Sequence, residues 1–141
     1  TQYLEALNPA RPLLGSTAEE RAVVLDWNHR LFNEVFRPTG DIFRNTNPAF
    51  AGRALPGALD LEQIPALAER GKAQLLFALT VLNNELATRK FVAGDAFTMA
   101  DIDLLALLHF AGWATKTKPD DAMTGLHAWR ERAQATLDGT A

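Results

Sequence analysis

The 141-residue chain contains no cysteine. That absence removes a disulfide framework, thiolate zinc sites, iron–sulfur ligation and a cysteine nucleophile together. Other reactive groups are sparse: a single serine (Ser16), one tyrosine (Tyr3) and three separated histidines, His29, His109 and His127. So few serine, tyrosine and histidine side chains argue against self-sufficient covalent catalysis. Long apolar runs are missing too, since stretches such as Leu104 to Leu108 fall far short of the ~20 residues that span a bilayer. No basic-then-apolar leader precedes Tyr3, and the expectation is a cytoplasmic protein with no membrane partner. Positive charge is not in excess. The 14 Lys+Arg stand against 17 Asp+Glu for a formal net charge of −3, which leaves no basic footprint for nucleic acid. The glycines stand singly rather than in a phosphate-cradling loop. Asp26 and His29 share a helix spacing but have no evident third ligand, so no metal site is expected.

What is present is the composition of a folding chain. Hydrophobic residues make up 48% and charged residues 22%, a globular balance at the length of one domain. The opening Tyr3-Leu4-Glu5-Ala6-Leu7 reads as the end of a helix, stopped by Asn8-Pro9 and followed by a linker-like run from Ala10 to Gly15. A helix end with no visible beginning suggests a piece of something longer. Ser16 and Thr17 precede Glu19 and Glu20 by three residues, the spacing of a capping box. Val24, Trp27, Leu31 and Val35 then recur at helical spacing, and Pro38 and Gly40 are expected to end this helix, placed at 17–37. From Thr39 to Leu61 the sequence reads as irregular, with Ile42, Phe43 and Phe50 available to pin it down. A long helix is expected over 62–89, enclosed by others because between Ala73 and Leu82 only Gln74 and Thr80 are polar.

The clearest local signal is Phe97-Thr98-Met99-Ala100-Asp101-Ile102. With Thr98 as the N-cap, Asp101 falls at N3, and Phe97 and Ile102 form the flanking hydrophobic staple. The helix that it starts, over 99–113, is apolar on almost every side, and a last helix over 122–137 places Leu126, Trp129, Ala133 and Leu137 on one face. The expected fold class is all-α, a bundle with two buried central helices. Asp103 and His109 are the polar residues inside the apolar helix, satisfied by a cap, a backbone group or the bundle's edge. Asp26, Arg30, Asn33 and Arg37 form a polar strip that suits either a solvated face or a binding face. Trp27, Trp113 and Trp129 suit either packing or a ligand cage.

The order of these pieces resembles the C-terminal helical domain of cytosolic, bacterial-type glutathione transferases. Tyr3 to Leu7 with Pro12-Leu13-Leu14-Gly15 is similar to that family's passage out of its thioredoxin-like domain, so residues 1–15 are expected to be a domain tail and linker, and 16–141 the helical domain. Phe91 to Ile102 is similar to the family's most recognisable internal stretch, and Leu126, Trp129 and Arg132 resemble its last-helix pattern. The resemblance implies a parent enzyme that conjugates the glutathione thiol to a hydrophobic electrophile, a detoxification reaction, in a homodimer. It also implies that the thiol-activating Tyr, Ser or Cys belongs to the thioredoxin-like domain, so no catalytic residue is expected in this chain and glutathione is a co-substrate rather than a cofactor. By the same resemblance, Asp26 stands where a residue meets the γ-glutamyl amine across the dimer. Asn33, where some bacterial members have histidine, and Phe36 stand at electrophile-pocket positions. Helix geometry adds Arg37, Phe110 and Trp113, and Thr98 and Asp101 are a folding device. The alternative function is a non-catalytic transferase-like module for protein interaction or dimerisation.

Overall fold

The computed structural model describes residues 2–10 and 12–139; Thr1 and Arg11 of the expected tail and linker lie outside them. Among the described residues six α-helices follow one another: α1 (Gln2–Leu7), α2 (Ala18–Leu31), α3 (Arg37–Thr46), α4 (Pro65–Leu86), α5 (Met99–Thr115) and α6 (Thr124–Leu137). Among the described residues there is no strand, only an isolated bridge between Phe91 and Gly94. The all-α expectation therefore stands.

The core lies where α4, α5 and α6 meet α2. Leu75, Leu79, Leu82 and Leu86 of α4, Leu104 of α5, and Leu126 and Trp129 of α6 are almost wholly buried, with Leu31, Val35 and Val92 closing the gaps. The glycines show how tightly helices cross. A Cβ on Gly71 would come within 2.8 Å of the Pro38 carbonyl, and one on Gly125 would overlap the backbone of Asn83 and Ala87. Leu126 N–H donates to Asn83 Oδ1 at 3.2 Å at the second crossing. One edge of α4 stays open: Leu76 and Phe77 are exposed, so this helix is not surrounded as its composition suggests.

Both capping boxes form. At α2 the Thr17 hydroxyl accepts from Glu20 N–H at 3.1 Å, and Glu20 Oε2 accepts from Thr17 N–H at 3.2 Å. At α5 Asp101 Oδ2 accepts from Thr98 N–H at 3.0 Å and from the Thr98 hydroxyl at 3.3 Å. Asp101 does more than cap. It is fully buried, and its Oδ1 accepts from Val92 N–H at 2.9 Å and from Trp129 Nε1 at 2.8 Å. One carboxylate thus joins the 91–97 connection, the start of α5 and the middle of α6. A buried charge needs such a set of donors.

The expected helix end at Pro38 is corrected. The chain passes through a π-helical turn, Phe32–Phe36, and continues as α3 to Thr46, so residues 39–46 are helical rather than irregular. Proline lacks an N–H and its ring clashes with the carbonyl four residues back; widening the preceding turn by one residue accommodates it without ending the helix. Arg37 N–H accordingly reaches the carbonyl of Phe32, five residues back. The buried Thr39 hydroxyl donates to the Val35 carbonyl at 2.7 Å and ties the two segments together.

Other boundaries shift by two or three residues. α4 starts at Pro65, because Gln63 and Ile64 are spent on α3: the Gln63 amide donates to the Arg44 and Asn47 carbonyls, and Ile64 N–H donates to Asn45 Oδ1, all at 2.8 Å. α5 runs to Thr115 and stops at Lys116, which adopts the left-handed conformation with φ 62°. α6 starts at Thr124 after a turn held by Asp120, and Leu137 at its end is half-exposed rather than on the buried face.

Candidate functional site

The π turn and α3 determine which aromatic side chains come together. Phe32 and Phe36 stack across the turn with ring centroids 5.3 Å apart. Phe36 meets Phe110 of α5 at 5.9 Å, Phe110 meets Trp113 at 6.1 Å, and Phe43 of α3 lies 6.1 Å from Phe110 and 5.3 Å from Trp113. Phe50 extends the chain of rings, edge-on to Phe43 at 5.2 Å. A core of this kind would be closed, yet Phe32, Phe36 and Trp113 are 50%, 40% and 61% exposed. Exposed aromatic clusters of this size on a globular domain mark binding surfaces.

Beside the cluster lies a cleft of about 410 Å³. Phe36, Arg37, Phe43 and Phe110 line its helical side; Leu55, Pro56 and Leu61 line the other. The second wall belongs to the 51–64 segment, which is not loose. Ala54 N–H donates to the Leu61 carbonyl at 2.9 Å, closing the segment on itself. Arg44 of α3 holds it from below, donating through Nε and Nη2 to the carbonyls of Ala54 and Arg53, while its guanidinium lies over the Phe50 ring at 4.4 Å.

The candidate residues read from the sequence distribute as follows. Phe36, Arg37 and Phe110 line the cleft, and Trp113 flanks it through Phe43 and Phe110. Asn33 is exposed one turn before Arg37 and touches the cleft only through it: Asn33 Nδ2 donates to the His29 carbonyl at 2.9 Å, and Arg37 Nη1 donates to Asn33 Oδ1 at 3.3 Å. Asp26 lies apart on an exposed face of α2. Phe43 and the Leu55 to Leu61 wall were missed as site residues, because a chain read as irregular after Pro38 gives no face on which to place them.

The remainder of the polar strip is structural. Arg30 makes a bidentate pair with Glu85 of α4 at 2.8 and 3.0 Å, meets Glu34 at 3.1 Å, and stacks over Trp27 at 4.5 Å. The hydrogen-bonded Arg30 guanidinium holds the Glu85 carboxyl below the ordinary glutamate range, and Glu85 raises the Arg30 pKa in return. Trp27 and Trp129 are buried packing residues, unlike Trp113. Asp103 is satisfied by Asn28 Nδ2 and His109 is exposed, both at the bundle's edge. Among the described residues no three His, Cys, Asp or Glu side chains gather as metal ligands. No described helix is long and apolar enough to cross a membrane.

A larger groove of about 1030 Å³ lies at the opposite end, between the linker, the start of α2, the α5 cap and the end of α6. Leu13, Val23, Phe97, Ile102 and Leu137 supply its apolar surface, and no comparable ring cluster lines it.

The cleft thus lies among the π turn, α3, the 51–64 segment and Phe110 of α5 in an all-helical domain. Residues 47–135 match the model of the glutathione S-transferase C-terminal domain, and the chain belongs to that family. It is 31% identical over 134 residues to Glutathione S-transferase 2 of Saccharomyces cerevisiae, covering 95% of this chain and 55% of that protein. It is also 35% identical over 116 residues to Elongation factor 1-gamma of Schizosaccharomyces pombe, covering 82% of this chain and 26% of that protein. The chain therefore spans about half of the first relative and a quarter of the second. Among solved structures, Gtt2 from Saccharomyces cerevisiae superposes with a TM-score of 0.80 at 28% identity, over 94% of this chain and 61% of that one. A glutathione S-transferase domain-containing protein from Marinobacter aquaeolei VT8 gives 0.81 at 29% identity, over 99% and 65%.

Proposed function

We propose that this chain forms the electrophile-binding half of a glutathione transferase acting in the cytoplasm, with the cleft walled by Phe36, Phe43 and Phe110 as the seat of a hydrophobic electrophile. The observation that carries this reading is the half-exposed aromatic cluster opening on a 410 Å³ cleft in a family whose named members include transferases. Apolar walls with few polar groups suit a poorly soluble aromatic substrate, and burying one ring face there is favourable at about 25 cal/mol per Å². The chain's own contribution is binding and orientation. Thiol activation belongs to a thioredoxin-like domain, whose docking face on this reading is the second groove with its apolar Leu13, Val23 and Leu137. Exposed Leu76 and Phe77 on α4 supply contacts to a second subunit, and Asp26 supplies the contact to the glutathione held there.

The test has two parts. The chain alone should bind uncharged aromatic ligands with quenching of Trp emission, and Phe110→Ser should weaken that binding by about fivefold or more, the worth of a lost ring contact. It should show no glutathione conjugation. Appreciable turnover by the chain alone, or ligand binding indifferent to Phe110, overturns the reading.

A second reading rests on the identity with an elongation factor. There the domain is an interaction module, the exposed α4 edge is its working surface, and aromatic ligands bind no better than to an unrelated helical protein.

A further inference from the structure

We propose that the cleft selects aromatic ligands bearing a carboxylate, and that Arg37 is the residue that reads the charge. The inference rests on the electrophile-cleft reading above and goes beyond it by naming the substrate class.

Five arginines stand around the cleft end of the molecule, and four have other partners; Arg53 donates through Nε to the Ala49 carbonyl at 3.0 Å and lies 5.9 Å over the Phe50 ring. Arg30 is neutralised by Glu85 and Glu34. Arg70 faces Asp41 at 3.6 Å, which also accounts for one of the two carboxylates lining the cleft. Arg44 spends its donors on the Ala54 and Arg53 carbonyls and its face on Phe50. Arg37 differs. Among the described residues no carboxylate lies within 4.0 Å of it, and its one side-chain partner is the neutral Asn33 amide. That amide is fixed in turn by the His29 carbonyl. The pair of i,i+4 bonds orients the guanidinium without cancelling its charge, and leaves most of its five donors for a ligand.

Position completes the argument. Arg37 follows Phe36 directly and shares the helical wall with Phe110, while the remaining cleft carboxylate, Glu62, belongs to the facing 51–64 segment. The cleft thus carries Arg37 beside the aromatic wall and Glu62 on the loop wall, while Arg44 keeps its charge but has its donors taken by the Ala54 and Arg53 carbonyls, which leaves Arg37 as the cleft arginine with donors to offer. A planar ring packed against Phe36 and Phe110 would present a ring carboxylate to Arg37 and keep it away from Glu62. Guanidinium and carboxylate match in bidentate geometry, which gives the pairing direction as well as attraction.

The carboxylate could instead belong to glutathione, so the experiment separates the two sources. Binding of 2-naphthoate and of its uncharged analogue 2-naphthamide to the full chain is measured by calorimetry, in wild type, Arg37→Gln and Arg37→Lys, at low and high salt, with a glutathione titration alongside. Naphthoate should bind about three- to tenfold more tightly than naphthamide, a modest factor because Arg37 is exposed and screened. The ratio of naphthoate to naphthamide affinity should fall to about one in Arg37→Gln, stay above one in Arg37→Lys and shrink with salt, whatever either variant does to the affinity common to both ligands. Equal binding of both ligands to wild type overturns the inference and leaves the aromatic cleft standing. A preference that survives in Arg37→Gln removes Arg37 from the role. Glutathione displacing naphthoate, with its own affinity lowered in Arg37→Gln, reassigns the anion to the tripeptide. Failure of both ligands to bind a chain with an intact helical spectrum overturns the cleft reading itself.

Discussion

Replacing Asp101 should be the most damaging polar substitution in the molecule. The carboxylate is fully buried and accepts from Thr98 N–H, the Thr98 hydroxyl, Val92 N–H and Trp129 Nε1 at 2.8 to 3.3 Å. Alanine leaves three N–H donors without an acceptor in places from which water is excluded, and Val92 and Trp129 are themselves fully buried. Each orphaned donor costs about 1–3 kcal/mol, and partial collapse or an admitted water recovers some of it, so the loss should be about 3–6 kcal/mol. Against a total stability of about 5–15 kcal/mol, that brings the chain close to unfolding at room temperature. Asn should rescue it only in part, because its one oxygen can still accept from Val92 N–H and Trp129 Nε1 while its NH2 is turned toward the Thr98 N–H. The assay is urea unfolding followed by Trp emission, with the slope of the transition unchanged so that the midpoint reports stability. A loss below about 1 kcal/mol for Asp101→Ala, at constant slope, would refute the view that this carboxylate joins three segments.

Three further outcomes follow from the same geometry. Thr98→Ala should cost only about 0.5–2 kcal/mol in the same assay, since the cap hydroxyl is one contact among several; a loss matching that of Asp101→Ala would move the hub to the threonine. Gly71→Ala gains about 1 kcal/mol of helix propensity but drives a methyl to 2.8 Å from the Pro38 carbonyl and 3.1 Å from Ile42 Cγ1, so overpacking of about 1–3 kcal/mol should win and lower the melting temperature. The Arg30–Glu85 pair sets a pH dependence: because the folded-state pKa of Glu85 is lowered, its contribution is present above the ordinary glutamate value and is lost as pH falls through the lowered one. Being about a quarter exposed, it is worth at most about 1 kcal/mol. Glu85→Gln should remove that acid-dependent part of the unfolding curve, and an unchanged slope of stability against pH would contradict the pairing.

Local rules carried the reading of the fold a long way, and the larger departures involve contacts distant in sequence. Thr98 and Asp101 are legible as a cap because the box needs only a three-residue spacing; the Val92 and Trp129 bonds to Asp101 are invisible to spacing, since one lies 9 and the other 28 residues away. Pro38 reads as a stop because its local effect is to break a helix, yet packing of the turn against Gly71 favours widening over termination. Leu76 and Phe77 read as enclosed because composition cannot tell which side of an apolar helix lacks a neighbour. The cleft was half visible. Phe36, Arg37, Phe110 and Trp113 were placed by helix geometry and resemblance, whereas Phe43 and the Leu55–Leu61 wall depend on α3 continuing past Pro38 and on Arg44 folding the following segment back.

The central claim is that the aromatic cleft receives the electrophile. An amide-correlation NMR titration of the chain with 2-naphthamide addresses it residue by residue. The account predicts that shifts concentrate on Phe36, Phe43, Phe110 and the Trp113 indole N–H, with Trp27 and Trp129 little moved. Shifts centred on Leu13, Val23 and Leu137 in the opposite groove, or spread without a focus, would contradict it.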